Sequence, residues 1–186
     1  MLSVDLLIRP AVPSDARSIA DIRIAGWRTA YAGLLEQHVL DAMDPAVEAE
    51  RRRREWSTSP WPGTLDVAVA TGSVAGFVLT GPYRSGDDEA AWPTDPHAGE
   101  VAALYVDPAV HGRGIGRALL THALTELITG HYTVARLWTL TGNTRARRVY
   151  TAAGFTDESP RRGGQDLHPP GRYPGRPRSP LQPPPP

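Results

Sequence analysis

Glu100-Val101-Ala102-Ala103-Leu104-Tyr105-Val106-Asp107-Pro108-Ala109-Val110-His111-Gly112-Arg113-Gly114-Ile115-Gly116 reads as a strand running through a glycine loop into a helix. Beyond Glu100 the first half is apolar at successive positions, as expected of a strand covered on both faces in the middle of a sheet. Asp107-Pro108 ends the strand. Ile115, Leu119, Leu120, Ala123, Leu124 and Leu127 then recur at helical spacing, and Gly130 stands where a left-handed residue would close the helix. Such a junction leaves backbone N–H groups pointing out of the positive end of a helix, which makes an anion site. Gly112, Gly114 and Gly116 keep side chains out of the way of a phosphate, while Arg113 and Arg117 add charge-assisted bonds. The spacing is not the G-x-G-x-x-G of a dinucleotide fold, and no Gly-Lys-Ser/Thr follows, so hydride transfer and nucleotide hydrolysis lose support. A plain glycine-rich turn with solvated arginines has the same spelling, so the loop has to be read with its surroundings.

Upstream, residues 6–9 form a strand, and Pro13-Ser14-Asp15 caps a helix carrying Ile19, Ile22 and Ile24 towards Trp27 and Tyr31. Asp44-Pro45 starts a second helix over 46–56, which Ser59-Pro60-Trp61-Pro62-Gly63 closes. Residues 66–70 and 74–80 flank Thr71-Gly72-Ser73 as an antiparallel hairpin, and 81–97 is a polar loop. Downstream come a strand over 133–140 and a helix over 143–153 closed by Gly154. The order strand, helix, strand requires a parallel crossover in a sheet that also holds a hairpin. The fold class is therefore α/β in the α+β sense: a mixed, mostly antiparallel sheet with one parallel strand-helix-strand unit. After Thr156 the pattern collapses into Arg161-Arg162-Gly163-Gly164, His168-Pro169-Pro170-Gly171 and four final prolines, too little apolar surface to offset ordering entropy. A domain at 1–155 and a disordered tail at 156–186 are expected.

The 186 residues fit one domain with a sizeable core. Formal charge is zero, which gives no reason to expect nucleic acid or an anionic membrane as partner. All basic residues other than histidine are arginine, a coding bias that discounts single arginines as evidence. Without cysteine there is no thiolate zinc site and no relay through an enzyme thioester, and no metal is expected. No stretch approaches the roughly 20 apolar residues of a membrane span and no secretory pattern opens the chain, so a cytoplasmic location is expected.

Residues 101–120, with His111, Gly114 and Gly116 at the places of a Gln/Arg-x-x-Gly-x-Gly/Ala pattern, resemble the acyl-CoA segment of the GNAT superfamily of N-acetyltransferases. Asn143, Ala146, Tyr150, Gly154 and Phe155 resemble its second motif, an Asn-x-x-Ala-x-x-x-Tyr helix ending in Gly-Phe, and Ile8-Arg9-Pro10 and residues 27–34 extend the likeness over 6–155. His111 departs from the usual Gln or Arg. The family's final hairpin is missing from the pattern, and an open sheet edge there would favour a homodimer.

The resemblance implies acetyl-CoA as acyl donor, held by His111, Gly112, Arg113, Gly114, Ile115, Gly116 and Arg117, with Leu104, Tyr105 and Val106 offering backbone N–H groups to the pantetheine arm and the thioester carbonyl. It implies Glu100 as the base that frees the amine, Tyr150 as the acid for the leaving thiolate, and Asn143 and Ala146 on the Tyr150 helix face beside the cofactor. Trp27 and Tyr31 fall on the acceptor side. Each has a plainer reading as well: a solvated strand end for Glu100, an N-cap for Asn143, core packing for Tyr150, Trp27 and Tyr31. Arg51, Arg52, Arg53 and Arg54 read as a solvated helix face without function. Direct transfer to a primary amine of a small molecule or peptide is the leading expectation. A catalytically silent acyl-CoA-binding module is the alternative, kept open by the missing hairpin.

Overall fold

The computed structural model describes residues 5–33, 36–58, 61–83, 95–139, 142–157 and 179–182. The strands are β1 Leu6–Pro10, β2 Thr64–Ala70, β3 Ser73–Pro82, β4 Ala98–Val106, β5 Val134–Thr139, β6 Thr156–Asp157 and β7 Ser179–Gln182. The helices are α1 Ala16–Ala30, α2 Gln37–Asp41, α3 Pro45–Thr58, α4 Ile115–Thr129 and α5 Thr144–Ala152. One sheet takes the order β1-β2-β3-β4-β5-β7-β6, antiparallel throughout except for the parallel pair β4–β5. That is the mixed sheet expected, with α4 as the crossover. No described helix is long and apolar enough to cross a membrane.

Two cores form because the apolar residues of the central strands alternate between faces. Val78, Val101 and Leu137 pack under Leu119, Leu120, Ala123 and Leu127 of α4 and Phe155 after α5. On the other face Val67 and Phe77 meet Ile19 and Ile22 of α1, and Ile24 packs on Leu40 and Met43. Leu40 belongs to α2, which the sequence reading lacked; five residues are too few to show a helical period.

Three expectations are corrected. The missing final hairpin is present as two short strands: β7 pairs with β5 from Leu137 beside Leu181 to Thr139 beside Ser179, and β6 pairs with β7. Strands of four and two residues have no room for a period-2 pattern, and pairing uses backbone groups that every residue carries, proline lacking only the N–H. The edge that suggested a homodimer is thus taken by the same chain. Within the span expected as a tail, 156–157 and 179–182 are these two strands; residues 158–178 and 183–186 lie outside the described residues, as does most of the 81–97 loop. Gly130 is not left-handed (φ −74°); His131 is (φ 65°), because Tyr132 N–H bonds back to the Leu127 carbonyl at 3.0 Å and moves the reversal one residue on. Asp15 makes no side-chain cap to α1: its carboxylate turns back to accept Arg9 at 2.7 and 2.9 Å and Val12 N–H at 2.9 Å, pinning β1 to the start of the helix.

Leu119 is 0% exposed and Ile128, on the same helix, is 71% exposed. Leu119→Ala is expected to cost about 2–5 kcal/mol and Ile128→Ala less than about 0.5 kcal/mol, read from urea unfolding midpoints. The Arg9 guanidinium, against the opposing effect of burial, holds the Asp15 carboxyl below the usual carboxylate range, with help from Val12 N–H. A lowered carboxyl contributes its full stabilisation above its unfolded value near ~3.9 and loses it progressively as pH falls on through the lowered folded value. Wild type therefore melts higher than Asp15→Asn at pH 7, and the gap closes as the pH is taken from about 5 to below 4.

Candidate active site

β4 and β5 lie side by side only from Ala98 next to Val134 to Val101 next to Leu137, and then part. At the same place Ala102 has no partner in β3, since Leu79 faces Ala103 and Thr80 faces Val101. An extra residue in one strand bends it and shifts the alternation of its side chains. Val101, Leu104 and Val106 accordingly face the α4 core, whereas Ala103 and Tyr105 face α1. The alternation puts Glu100 on the α1 side with them.

The wedge between the parted strands is a cavity of about 400 Å³. Residues 101–106 of β4 form one wall; Trp138 and Thr139 of β5 and Asn143, Ala146, Val149 and Tyr150 on and beside α5 form the other. Among the described strands nothing pairs with the β5-facing edge of 102–106, so its backbone groups face the cavity.

One end of the cavity is the glycine loop. His111, Gly112, Gly114, Ile115, Gly116 and Arg117 line it. Gly112 and Gly114 take φ 82° and 83°, and a Cβ on either would meet nothing within 4 Å, so left-handed backbone rather than crowding calls for glycine. The first bond of α4 runs from Ala118 N–H to the Gly114 carbonyl at 3.0 Å, which leaves Ile115, Gly116 and Arg117 N–H without a helical acceptor. Asp107 accepts Ala109 N–H at 2.9 Å and so closes the turn Pro108–Val110 that leads in. His111 Nε2–H donates to the Val106 carbonyl at 3.0 Å, tying the loop to the strand end through its side chain. Arg113 is exposed and is the one loop residue outside the cavity wall.

In the middle, Asn143 Oδ1 accepts Ala146 N–H at 3.1 Å and caps α5, and Tyr150 follows on the same face, buried with its ring 6.2 Å from that of Phe155. Burial pushes the Tyr150 phenol well above its ordinary value, and the nearby Tyr105 phenol adds to the shift, so Tyr150 keeps its proton at neutral pH. Tyr105 stacks on Phe77 at 5.3 Å, and its hydroxyl accepts the Trp27 indole N–H at 2.8 Å. Trp27 in turn meets Tyr31 edge to face at 4.8 Å; both line the far end of the cavity, beside Arg23 and Arg52.

Glu100 is 1% exposed, between Gly81 of β3 and Arg136 of β5 in register, and does not line the cavity. It is neither a solvated strand end nor part of the wall. All other residues singled out from the sequence, apart from Arg113, converge on one cavity. Sequence reading missed Trp138, Thr139, Arg145, Arg23 and Arg52. The solvated reading of the arginine run fails at Arg52, which is buried. Four consecutive helical residues cannot share one face, and Ala49 and Trp56, three before and four after Arg52, mark its side as the inner one.

A family profile described as Acetyltransferase (GNAT) family matches residues 27–155. A mycothiol acetyltransferase of Sanguibacter keddieii is 38% identical over 100 residues, which are 52% of this chain and 30% of that protein; the match thus spans under a third of that relative's length. The PaiA N-acetyltransferase of Thermoplasma acidophilum, solved in complex with coenzyme A, superposes with TM-score 0.71 at 18% identity over 96% of this chain and 98% of that one. The yncA structure from Salmonella typhimurium, solved with acetyl-CoA, superposes with TM-score 0.63 at 20% identity over 96% and 91%.

Gly114→Ala forces a side chain into left-handed backbone at the helix end, a strain of about 1–2 kcal/mol. Calorimetric titration with coenzyme A is expected to show at least about tenfold weaker binding for Gly114→Ala, and a much smaller loss for Arg113→Ala.

Proposed function

The chain belongs to the GNAT acetyltransferase family, and we propose that it moves an acetyl group from acetyl-CoA directly onto a primary amine of a small molecule or peptide. The observation that carries this reading is one continuous cavity running from the glycine loop, along the open edge of β4, to Tyr150 and the aromatic wall of α1. Its parts suit the donor: an anion-binding helix end at the mouth, and an extended backbone edge along the side. Acetyl-CoA, when bound, supplies an acyl carbon activated by a thiol leaving group.

Ile115, Gly116 and Arg117 N–H groups, with the Arg117 guanidinium, hold the pyrophosphate; Gly112 gives the loop its shape, His111 anchors it, and Arg113 adds positive potential from outside. Backbone N–H groups of Leu104 and Val106, on the edge of β4 away from β3, fix the arm and polarise the thioester carbonyl, fixed dipoles that need no reorganisation, while Tyr105 N–H points the other way, to the β3 side on which Asp107 N–H bonds Ala75. Asn143 and Ala146 flank the arm from α5. Tyr150 donates its proton to the departing sulfur, its burial keeping the proton on oxygen until charge develops there. Glu100, one layer behind the wall on the Tyr105 side, takes the amine's proton through water. Trp27 and Tyr31 line the acceptor end. With no cysteine in the 186 residues, no enzyme thioester stands between donor and acceptor, which is consistent with direct transfer. A silent binding module loses its motive, since strands β6 and β7 are in place beside β5.

Release of free coenzyme A from acetyl-CoA, followed with a thiol reagent against a panel of amines, tests the reading. Tyr150→Phe is expected to lower kcat about 100-fold with coenzyme A affinity near wild type, and Glu100→Gln to lower kcat by a similar factor. An unchanged kcat in either variant removes that residue's role. Absence of amine-dependent release from the wild type removes the transferase reading.

A further inference from the structure

The two faces of the sheet border the cavity differently. On the α4 face Leu119, Leu120 and Phe155 are buried in a filled core, which leaves no way in for an acceptor. On the α1 face every bordering element presents a ring: Trp27 and Tyr31 from α1, Phe77 from β3, Tyr105 from β4 and Trp138 from β5. Trp138 belongs to this face because its neighbour Leu137 packs into the α4 core and side chains alternate along a strand.

These rings are held by contacts with the protein. Phe77 stacks on Tyr105 at 5.3 Å, Trp27 meets Tyr31 at 4.8 Å, and Trp27 Nε1–H donates to Tyr105 Oη at 2.8 Å. Trp138 lies along Tyr83, with 6.3 Å between centroids and 16° between planes, and the Arg136 guanidinium stands 4.9 Å over the Tyr83 ring. Arg23 and Arg52 are held in the same way and belong to the wall: Arg23 binds Glu48 and lies 5.8 Å over the Trp27 ring, and Arg52 lies 6.0 Å over the Phe77 ring. What this face offers a ligand is therefore ring surface already in place. Such a surface favours another ring, which gains offset-stacked and edge-to-face contacts beyond the area it buries and orders no side chain on arrival. No Asp or Glu is among the described residues that line the cavity, so the described wall has no carboxylate for the further ammonium groups of a polyamine. The volume of about 400 Å³, shared with the donor's arm, is at the small end for small-molecule sites and suits a body about the size of one ring better than a peptide.

We propose that the acceptor is an arylalkylamine, a primary amine a short chain away from an aromatic ring, with the ring against Trp27, Tyr31 and Trp138 and the amine turned towards Tyr105 and Tyr150. The inference rests on the acetyl-transfer reading and adds the substrate class to it.

Coenzyme A release from acetyl-CoA is measured with phenethylamine, butylamine, spermidine and alanyl-alanine. Phenethylamine is expected to have at least about tenfold higher kcat/KM than each of the others. Trp138→Leu is expected to lower kcat/KM for phenethylamine about tenfold more than for butylamine, through KM, and Trp138→Phe to restore most of the difference. A variant that merely misfolds would lose both amines alike and would not be rescued. Any of the other three amines within tenfold of phenethylamine, or equal losses for both amines in a folded Trp138→Leu, overturns the proposal and leaves acetyl transfer standing. Should no amine release coenzyme A, tryptophan fluorescence of the coenzyme A complex titrated with the acetylated products decides. Tighter binding of N-acetylphenethylamine than of N-acetylbutylamine, lost in Trp138→Leu and kept in Trp138→Phe, upholds the aryl site though the transfer reading has failed, and equal binding overturns both.

Discussion

The parting of β4 from β5 beyond Val101 and Leu137 is the constraint on which the site depends, because a sheet that stayed paired there would have no cavity and no free backbone edge. The extra residue at Ala102 has two consequences. It turns the strand away from its parallel neighbour, and it moves Glu100 onto the face of Ala103 and Tyr105 rather than that of Leu104. Because the pair is parallel, the crossover helix α4 must start at the end of β4 where the strands have separated, so its N–H groups open at the mouth of the wedge. The open helix N-terminus and the free strand edge are thus consequences of one topological choice.

The walls are then fixed by aromatic contacts that cross between layers. Phe77 of β3 stacks on Tyr105 of β4, Tyr105 accepts from Trp27 of α1, and Trp27 meets Tyr31, so the α1 side of the cavity is a connected surface with rotamers held by their neighbours. Gly26 lets α1 come this close, since a Cβ there would fall 2.9 Å from the Tyr105 ring. Tyr150 approaches the same phenol from α5, buried enough that its proton stays on oxygen. The arginines that line the cavity come from separate elements, Arg117 from α4, Arg145 from α5, Arg23 from α1 and Arg52 from α3, and no Asp or Glu is among the described lining residues. A low-dielectric middle strengthens whatever dipoles point into it.

Much of this was legible in the sequence, for reasons that differ by element. The long elements announced themselves through period: the apolar run of β4, the helical spacing of α4, and the hairpin about Thr71 and Gly72. Gly112 and Gly114 were legible because left-handed backbone admits few other residues. The Asn143 to Tyr150 face was legible because a helix places residues three and four apart on one side. What failed were features without a local signature: α2 with five residues, β6 and β7 with two and four, and the turn of Asp15 back to Arg9 instead of forward into the helix.

The sequence by itself determined which of the longer segments become strand or helix and where a glycine loop opens a helix N-terminus, since both follow from periodicity and from backbone angles that only glycine takes easily. Only the tertiary structure decided which side chains face the cavity. Glu100 and Val101 are neighbours in an apolar run, and a bulge whose partner residues lie some twenty positions upstream buries one behind the wall and puts the other on it. Arg52 is spelled like Arg53 and Arg54, and its spacing to Ala49 and Trp56 names the side of α3 it shares with them but not what that side packs against. What a side chain finally faces is set by long-range contacts, which local spacing does not contain.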